Sequence, residues 1–127
     1  MLYIRDAAGT VESVSQRLAE DAASNGMVVV AIHDINQKLS AAGAALGREC
    51  RVLEVWNPKR TRRALELDMA VSTVLPSRIA VFDFEGRVRI AMIKPTALLD
   101  LYQHPELAPI AQEAEDAMIC IVEGVCR

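Results

Sequence analysis

The feature that most constrains the fold is a stripe of apolar residues in the last quarter of the sequence. At 3.6 residues per turn these residues share one helix face for about five turns. They are Leu107, Ile110, Ala111, Ala114, Met118, Ile121, Val122 and Val125. The opposite face carries Gln112, Glu113, Glu115, Asp116 and Glu123. The sequence therefore predicts a long last helix, beginning near His104-Pro105, that buries Met118 and Ile121 against a sheet.

Five segments have the character of strands, and they would supply that sheet. The first lies around Tyr3-Ile4, and the second is an apolar run over residues 27–32. Because this run does not alternate, it predicts a central strand covered on both faces. Residues 50–56 and 78–84 follow, and residues 87–93 alternate cleanly between apolar and basic side chains. Glu85-Gly86 between the last two strands is typical of a tight hairpin turn.

Helices are predicted between these strands. Thr10 is a suitable N-cap for a first helix that ends at Asn25-Gly26, and residues 36–47 predict a short helix and a loop. Asn57 is a good N-cap and Pro58 suits the first helical position, so a helix should run to about Met69. This helix should bury Leu65 and Met69. Residues 97–102 predict one more short helix.

The element order predicts an α+β domain. The predicted order of elements is β-α-β, a loop or short helix, β-α-β-β and two final helices. Such an order is typical of an antiparallel or mixed sheet of about five strands with helices on one face. At 127 residues the chain fits a single domain over residues 1–127, and 52% hydrophobic residues with 24% charged residues indicate a globular protein.

Charge and cysteine content narrow the partners and the compartment. The formal net charge of −3 argues against non-specific nucleic-acid binding, and no apolar run of about 18 residues predicts a membrane span. The first six residues are too short and too charged for a signal peptide. Three cysteines, an odd number, predict reduced thiols and a cytoplasmic protein. No P-loop, GxGxxG or CxxC motif is present, so we expect no cofactor and no metal site.

A basic cluster opens the helix after Asn57-Pro58. Lys59, Arg60, Arg62 and Arg63 oppose the helix dipole there, at a cost of about 0.3–1 kcal/mol per charge. That cost is tolerable if an anion binds, because free N–H groups and cations would converge on it. The alternative is a solvated basic face in which Arg62 pairs with Glu66. Lys59 and Arg60 are the candidate ligands, with Asn57 and Pro58 at the turn.

His33 and Asp34 follow the apolar run and could project into a cleft at a strand end. A histidine beside a carboxylate can serve as an acid–base pair or as a ligand. Neighbouring strand residues point to opposite faces, however, so the two side chains should not touch. The alternative is that both satisfy loop backbone. His104 is better explained as a helix-start residue.

The cysteines offer a different chemistry. Cys120 lies near the edge of the helical stripe and would be a small core hydrophobe, while Cys126 near the terminus should be exposed. A thiol-based sulfur carrier or redox protein would use Cys50, Cys120 or Cys126. The six-residue spacing of the last two does not match helical i,i+4 spacing, so a shared metal is not expected.

Taken in order, several short motifs resemble the DUF302 family of small bacterial and archaeal domains. They are Gly26 before an apolar strand, Asn57-Pro58, an acid-bearing helix, Leu75-Pro76, the Glu85-Gly86 hairpin and Pro95. The resemblance spans about residues 11–125. It implies a TATA-binding-protein-like α+β fold and a tendency to form homodimers, but no assigned reaction. The fold name carries no nucleic-acid function with it.

Two positions depart from the family pattern. Many members resemble Leu-Pro-Cys where this chain has Ser77, and some carry cysteine where it has Trp56. Thiol or metal chemistry at those positions is therefore not implied for this chain. The sequence predicts a homodimeric binding domain for a small anion rather than an enzyme, with His33, Asn57, Pro58, Lys59, Arg60 and Ser77 as candidate ligand residues. The alternatives are the thiol protein and a structural interaction module.

Overall fold

The computed structural model of the chain describes residues 1–126, which form five strands, five α-helices and one 3₁₀ segment. The strands are β1 (Leu2–Ala7), β2 (Val28–Asp34), β3 (Cys50–Trp56), β4 (Ser77–Phe84) and β5 (Arg87–Ile93). The helices are α1 (Val11–Ser24), α2 (Ile35–Ala41), α3 (Pro58–Leu67), α4 (Pro95–Leu99) and α5 (Leu107–Cys126). The 3₁₀ segment spans Met69–Val74. The predicted α+β class with a five-stranded sheet is confirmed.

All strand pairs of the sheet are antiparallel, in the order β1-β5-β4-β3-β2. The predicted hairpin joins β4 to β5, with Glu85 at φ 50° and Gly86 at φ 78°. Two successive residues with positive φ match the twist of a two-residue hairpin. The edges of the sheet are therefore β1 and β2, and β3, β4 and β5 lie between them.

One face of the sheet is covered by α1 and α5 and forms the main core. Its strand residues alternate with those of the other face, as the two-residue period requires. The fully buried ones are Leu53, Val55, Ile79, Val81 and Ile90. From α5, Met118 and Ile121 are each only 1% exposed, so the predicted packing of the last helix is confirmed. We call this side of the sheet the helix face.

On the other face of the sheet only α2 makes contact, at the β2–β3 edge, and the rest carries no helix layer; we call it the open face. The register places Leu2 and Ile4 of β1, Ala91 and Ile93 of β5, Arg78, Ala80 and Phe82 of β4, Val52 and Glu54 of β3, and Val28 and His33 of β2 on it. Several of its apolar side chains are about half exposed, including Leu2 at 59% and Val28 at 47%. An apolar sheet face without a covering layer is unusual enough to indicate a function.

The prediction that residues 27–32 form a central strand is wrong. Strand β2 lies at the edge of the sheet, and Val28, Val30 and Ile32 are 44–47% exposed. Met27 precedes the strand and is buried, and Val29 packs on the core. The continuous apolar run thus reflects an edge strand with apolar residues on exposed positions, distorted by a β-bulge between Val29 and Ala31.

A second, smaller core lies beside the sheet, between α3, the 3₁₀ segment, α4 and α5. Its buried residues are Ala64, Val71, Leu99, Leu107, Ile110 and Ala111. The sequence did not predict the 3₁₀ segment, and it placed the end of α3 too late. Asp68 is extended and caps the 3₁₀ segment through Ala70, which turns Met69 outward to 69% exposure. The expected burial of Met69 is therefore wrong.

The predicted ends of α1 are confirmed. Thr10 accepts a hydrogen bond from the backbone of Ser13, and the Ser13 hydroxyl receives one from Thr10 N, so the two form a capping box. Gly26, just beyond the helix, has φ 75°, the left-handed conformation expected after a helix C-terminus. Within residues 1–126, no helix combines the length and apolarity needed to cross a membrane.

Candidate functional site

A cleft on the helix side of the sheet brings together three of the predicted ligand residues. Asn57, Arg60 and Ser77 line it, together with apolar side chains from α3, α4, α5 and the segment before β4. We call it the α3 cleft. Its apolar walls include Val74, Leu98 and Ile110, and its free volume is about 40 Å³. A mostly apolar pocket with a few convergent polar groups is the usual form of a small-ligand site.

The start of α3 uses most of its backbone donors internally. Arg60 N donates to the Asn57 side chain at 3.0 Å, and Thr61 N donates to the Asn57 carbonyl at 2.9 Å. Pro58 has no N–H to offer. This leaves the N–H of Lys59 as the free donor of the first turn within the described residues. An anion here would therefore depend on side chains more than on the helix terminus.

Arg60 differs from the other basic residues of α3. Arg62 pairs with Glu66 at 2.8 Å and Arg63 pairs with Glu113 at 3.0 Å, both at exposed positions. The predicted Arg62–Glu66 pair is thus confirmed. The Arg60 side chain is only 20% exposed, and its nearest carboxylate is Glu113 at 3.9 Å, beyond hydrogen-bond distance. Within residues 1–126 the Arg60 guanidinium donates no hydrogen bond, so it is more weakly paired than Arg62 and Arg63.

Ser77 is the second unused donor at the α3 cleft. The register pairs Ser77 with Val55, whose side chain is fully buried on the helix face. Ser77 is half-buried, and its hydroxyl has no hydrogen-bond partner within the described residues. Pro58 and Lys59 are exposed at the start of α3 and do not line the cleft.

His33 lies apart from the α3 cleft, on the open face of the sheet. Its Nε2 is 2.5 Å from a Glu54 carboxylate oxygen, and its Nδ1 is 2.8 Å from the Lys38 ammonium group. Because an ammonium group can only donate, Nδ1 accepts from Lys38 and Nε2–H donates to Glu54. The sequence did not reveal Glu54 as the partner, since this contact depends on the register of β2 against β3.

Asp34 does not contact His33, as strand geometry predicted. It lies on the other side of the strand, opposite Arg51, and the Asp34 and Arg51 charges approach to 3.8 Å. Its carboxylate accepts from Gln37 N at 3.0 Å and so caps α2. His104 lies ahead of α5, with its Nε2 3.6 Å from an Asp68 oxygen. Asp34 and His104 thus have structural roles.

The three cysteines are free. Burial raises the pKa of the Cys50 thiol, and burial also raises the pKa of the Cys126 thiol. A raised pKa lowers the fraction of reactive thiolate at neutral pH. Cys120 is exposed on α5, so its expected role as a small core residue is wrong, and Cys126 is half-buried instead of exposed. The sequence predicted no metal shared between two of these cysteines.

The chain is similar to one family of proteins in both sequence and structure. The family model of a domain of unknown function, DUF302, matches residues 3–125. The crystal structure of an uncharacterized conserved DUF302 protein from Bacillus stearothermophilus matches with a TM-score of 0.92 and 28% sequence identity. That match covers 99% of this chain and 98% of the other. Among curated proteins, none matches this chain significantly.

Proposed function

This chain belongs to the DUF302 family, and we propose that it is a homodimeric binding domain for a small anionic ligand rather than an enzyme. The observation that carries the proposal is the burial and weak pairing of the Arg60 side chain. Its guanidinium is mostly buried beside an apolar cleft, and its nearest carboxylate is too distant for a hydrogen bond. A buried charge without a close partner is costly, so such a group is retained where a ligand completes it.

An anion in the α3 cleft would satisfy donors that are otherwise unused. Arg60 offers a planar fork that matches carboxylate and phosphate oxygens in a bidentate manner. The Ser77 hydroxyl would add a neutral donor, and Lys59, which lies outside the cleft beside Arg60, would add a second positive charge near it. Asn57 and Pro58 hold the first turn of α3 in place. The small free volume of about 40 Å³ fits an anionic group better than a bulky ligand.

Calorimetric titration of inorganic phosphate and of sulfate into the full chain tests this site. We expect binding to the wild type and at least about tenfold weaker binding to Arg60→Met, which keeps the apolar stem of the side chain. Arg62→Met is the matched control, because Arg62 lies two residues away on the same helix and pairs with Glu66. Equal binding by both variants, or no binding by the wild type, would contradict the proposal.

Thermal stability gives a second test of the same site. At one hundred times its dissociation constant, a bound anion should stabilise the fold by about 2.7 kcal/mol. Lys59→Ala combined with Arg60→Ala should abolish that gain, while leaving the fold in plain buffer unharmed or slightly more stable. Salts that raise the melting temperature of wild type and double variant alike would act by general salting-out, and the site would then not exist.

The homodimer in the proposal is supported by the edge strand β2. Its Val28, Val30 and Ile32 side chains are 44–47% exposed, and one side of its backbone has no strand partner. Although the β-bulge between Val29 and Ala31 interrupts this edge, its exposed apolar side chains favour contact with another chain. A second copy of the same edge would cover it in an isologous, two-fold contact. Leu2 and Ile4 on the opposite edge are the competing surface.

Light scattering tests the dimer directly. The wild type should give twice the chain mass of 13.9 kDa at micromolar concentration, and Val30→Lys should give the single mass. Leu101→Lys, at a position just after α4 that is 73% exposed, is the matched control and should remain dimeric. A wild type at 13.9 kDa would end the dimer proposal, and a dimer that survives Val30→Lys would exclude the β2 edge.

The thiol alternative is less favoured by the geometry. Burial raises the pKa of both the Cys50 and the Cys126 thiols, which opposes nucleophilic chemistry. Native-state thiol titration separates the two proposals, since one fast, low-pKa thiol would favour sulfur chemistry. Three slowly reacting thiols would count against it. The free cysteines agree with the reducing cytoplasm that we propose as the location.

A further inference from the structure

A second cleft lies at one end of the open face, next to the α3 cleft, with which it shares Val74, Leu75, Ser77 and Leu98. Its floor comes from Glu54, Arg78 and Ile93 on the three central strands, and its wall comes from Thr73, Leu75 and Leu98. We call it the open-face cleft. Its volume of about 250 Å³ lies below the roughly 300–1,000 Å³ of pockets for drug-sized ligands. The occupant that fits it is therefore a small metabolite.

Two opposite charges stand side by side in this cleft without pairing. Glu54 and Arg78 are direct partners in the β3–β4 register, where side chains on one face begin about 4.5–5.5 Å apart. Within residues 1–126 they nevertheless form no ion pair. Glu54 turns instead toward His33, with one carboxylate oxygen 2.5 Å from the ring nitrogen. Arg78 is exposed and has no carboxylate within ion-pair distance in the described chain.

The contact with His33 fixes Glu54 in this position. Lys38 donates to His33 Nδ1 at 2.8 Å, and His33 Nε2–H donates to Glu54, so the three groups form a chain across α2, β2 and β3. Only one oxygen of Glu54 is used in this chain, and the carboxylate is 22% exposed. Its second oxygen is left to accept from a ligand, while the guanidinium of Arg78 is left to donate to one.

We propose that the open-face cleft binds a free aliphatic α-amino acid as its zwitterion. The α-ammonium group would donate to the free oxygen of Glu54, and the α-carboxylate would take the guanidinium of Arg78 in a bidentate contact. In an α-amino acid, one carbon joins the ammonium and carboxylate groups. This short separation matches Glu54 and Arg78, which lie side by side on adjacent strands. Leu75, Ile93 and Leu98 provide the apolar surface against which a branched aliphatic side chain packs.

Binding measurements with matched small molecules test the assignment on the wild-type chain. Calorimetry with L-leucine should show binding, whereas 4-methylpentanoate, which lacks the ammonium group, should bind at least about tenfold more weakly. The same loss is expected for 3-methylbutylamine, which lacks the carboxylate. Either analogue binding as tightly as leucine would overturn the proposal. So would the absence of binding by leucine, isoleucine and valine at millimolar concentration.

Two variants then test which residue binds each charged group of the amino acid, and two more serve as controls. Glu54→Gln should remove the preference for leucine over 4-methylpentanoate, and Arg78→Gln should remove the preference over 3-methylbutylamine. Arg87→Gln, an exposed arginine at the other end of the open face, is the control and should keep both preferences. Arg60→Met should leave leucine binding intact, so failure here and failure of the α3 cleft are distinguishable. Unchanged preferences in the first two variants would contradict the inference.

Discussion

The two faces of the sheet are built from the same strands, yet they differ in almost every other property. On the helix face, Leu53, Val81 and Ile90 are at most 1% exposed and pack under α1 and α5. On the open face, Leu2 is 59% exposed and Ile93 is 46% exposed. Charged groups are also distributed unevenly, because the Glu54, Arg78 and His33 side chains lie on the open face.

Under the proposed functions, this difference separates the residues that stabilise the fold from those that would bind a ligand or a second chain. Burial of apolar surface stabilises a fold by about 25 cal/mol per Å², so the helix face and the second core supply most of the stabilising energy. Half-exposed residues on the open face contribute less to folding and leave room for a ligand or a second chain. The α3 cleft is the exception, since Arg60 brings a weakly paired, half-buried charge to the helix side.

The largest expected difference in unfolding free energy is between two isoleucine variants, one on the helix side of the sheet and one on the open face. Ile121→Ala removes a side chain that is 1% exposed in the core, so it should cost about 2–5 kcal/mol of unfolding free energy. Ile93→Ala on the open face, at 46% exposure, should cost less than about 1 kcal/mol. Urea unfolding measures both. Similar losses in the two variants would break the comparison.

A buried carboxylate on the helix side gives the next effect. Glu115 of α5 is 8% exposed and accepts hydrogen bonds from Thr96 N at 3.2 Å and from the Thr96 hydroxyl at 2.6 Å. It thereby caps α4, whose N-cap Lys94 makes no side-chain bond of its own. Glu115→Ala should cost about 1–3 kcal/mol, because two donors lose their acceptor. The exposed Glu113→Ala is the control in the same unfolding assay and should cost less.

Helix caps sharpen the comparison further. Asn57 caps α3, which buries Thr61 and Ala64, whereas Asp34 caps α2, which has no buried residue. Asn57→Ala should lower the unfolding free energy by about 1 kcal/mol. Asp34→Ala should mainly fray α2, with a smaller effect on global unfolding. Amide hydrogen exchange separates these outcomes, and a larger global loss in Asp34→Ala would show that α2 is structurally important.

The smallest effect concerns an exposed ion pair on the open face. The hydrogen bond from Arg89 lowers the pKa of Asp6, with Arg87 adding to the shift. A carboxyl with a depressed folded pKa stabilises the fold above its unfolded pKa of about 3.9, and that contribution is lost as the pH falls through the folded pKa. Asp6→Asn should therefore flatten the loss of stability on acidification slightly. Parallel pH profiles for variant and wild type would contradict the role of Asp6.

Local patterns in the sequence predict several helices and the β4–β5 hairpin well. The stripe of α5, the capping residue Thr10, the Asn57-Pro58 start of α3 and the Glu85-Gly86 hairpin all depend on short-range chemistry. The position of β2 in the sheet cannot be predicted from short-range chemistry, because a continuous apolar run is compatible with a central strand and with an exposed edge. Only the sheet order distinguishes these two cases.

The candidate sites were predictable to different degrees. Asn57 and Arg60 are identified by turn chemistry and charge, Ser77 only by its position in the family pattern, and the fold brings all three to one cleft. Glu54 was not identified, since its contact with His33 and its position beside Arg78 depend on strand register. The wrong prediction that Met69 is buried has a similar cause. The 3₁₀ segment that exposes Met69 depends on the Asp68 cap.

The most direct test of the account compares unfolding free energies for the two faces by urea denaturation. Val81→Thr places one hydroxyl at a fully buried position of the helix face and should cost about 1–3 kcal/mol. The double variant Ile4→Thr with Ile93→Thr places two hydroxyls on the open face, where 45% and 46% exposure keeps them hydrated. The account predicts that the double variant loses less stability than the single one. A larger loss in the double variant would show that the open face is part of the core and would contradict the separation of stability from binding.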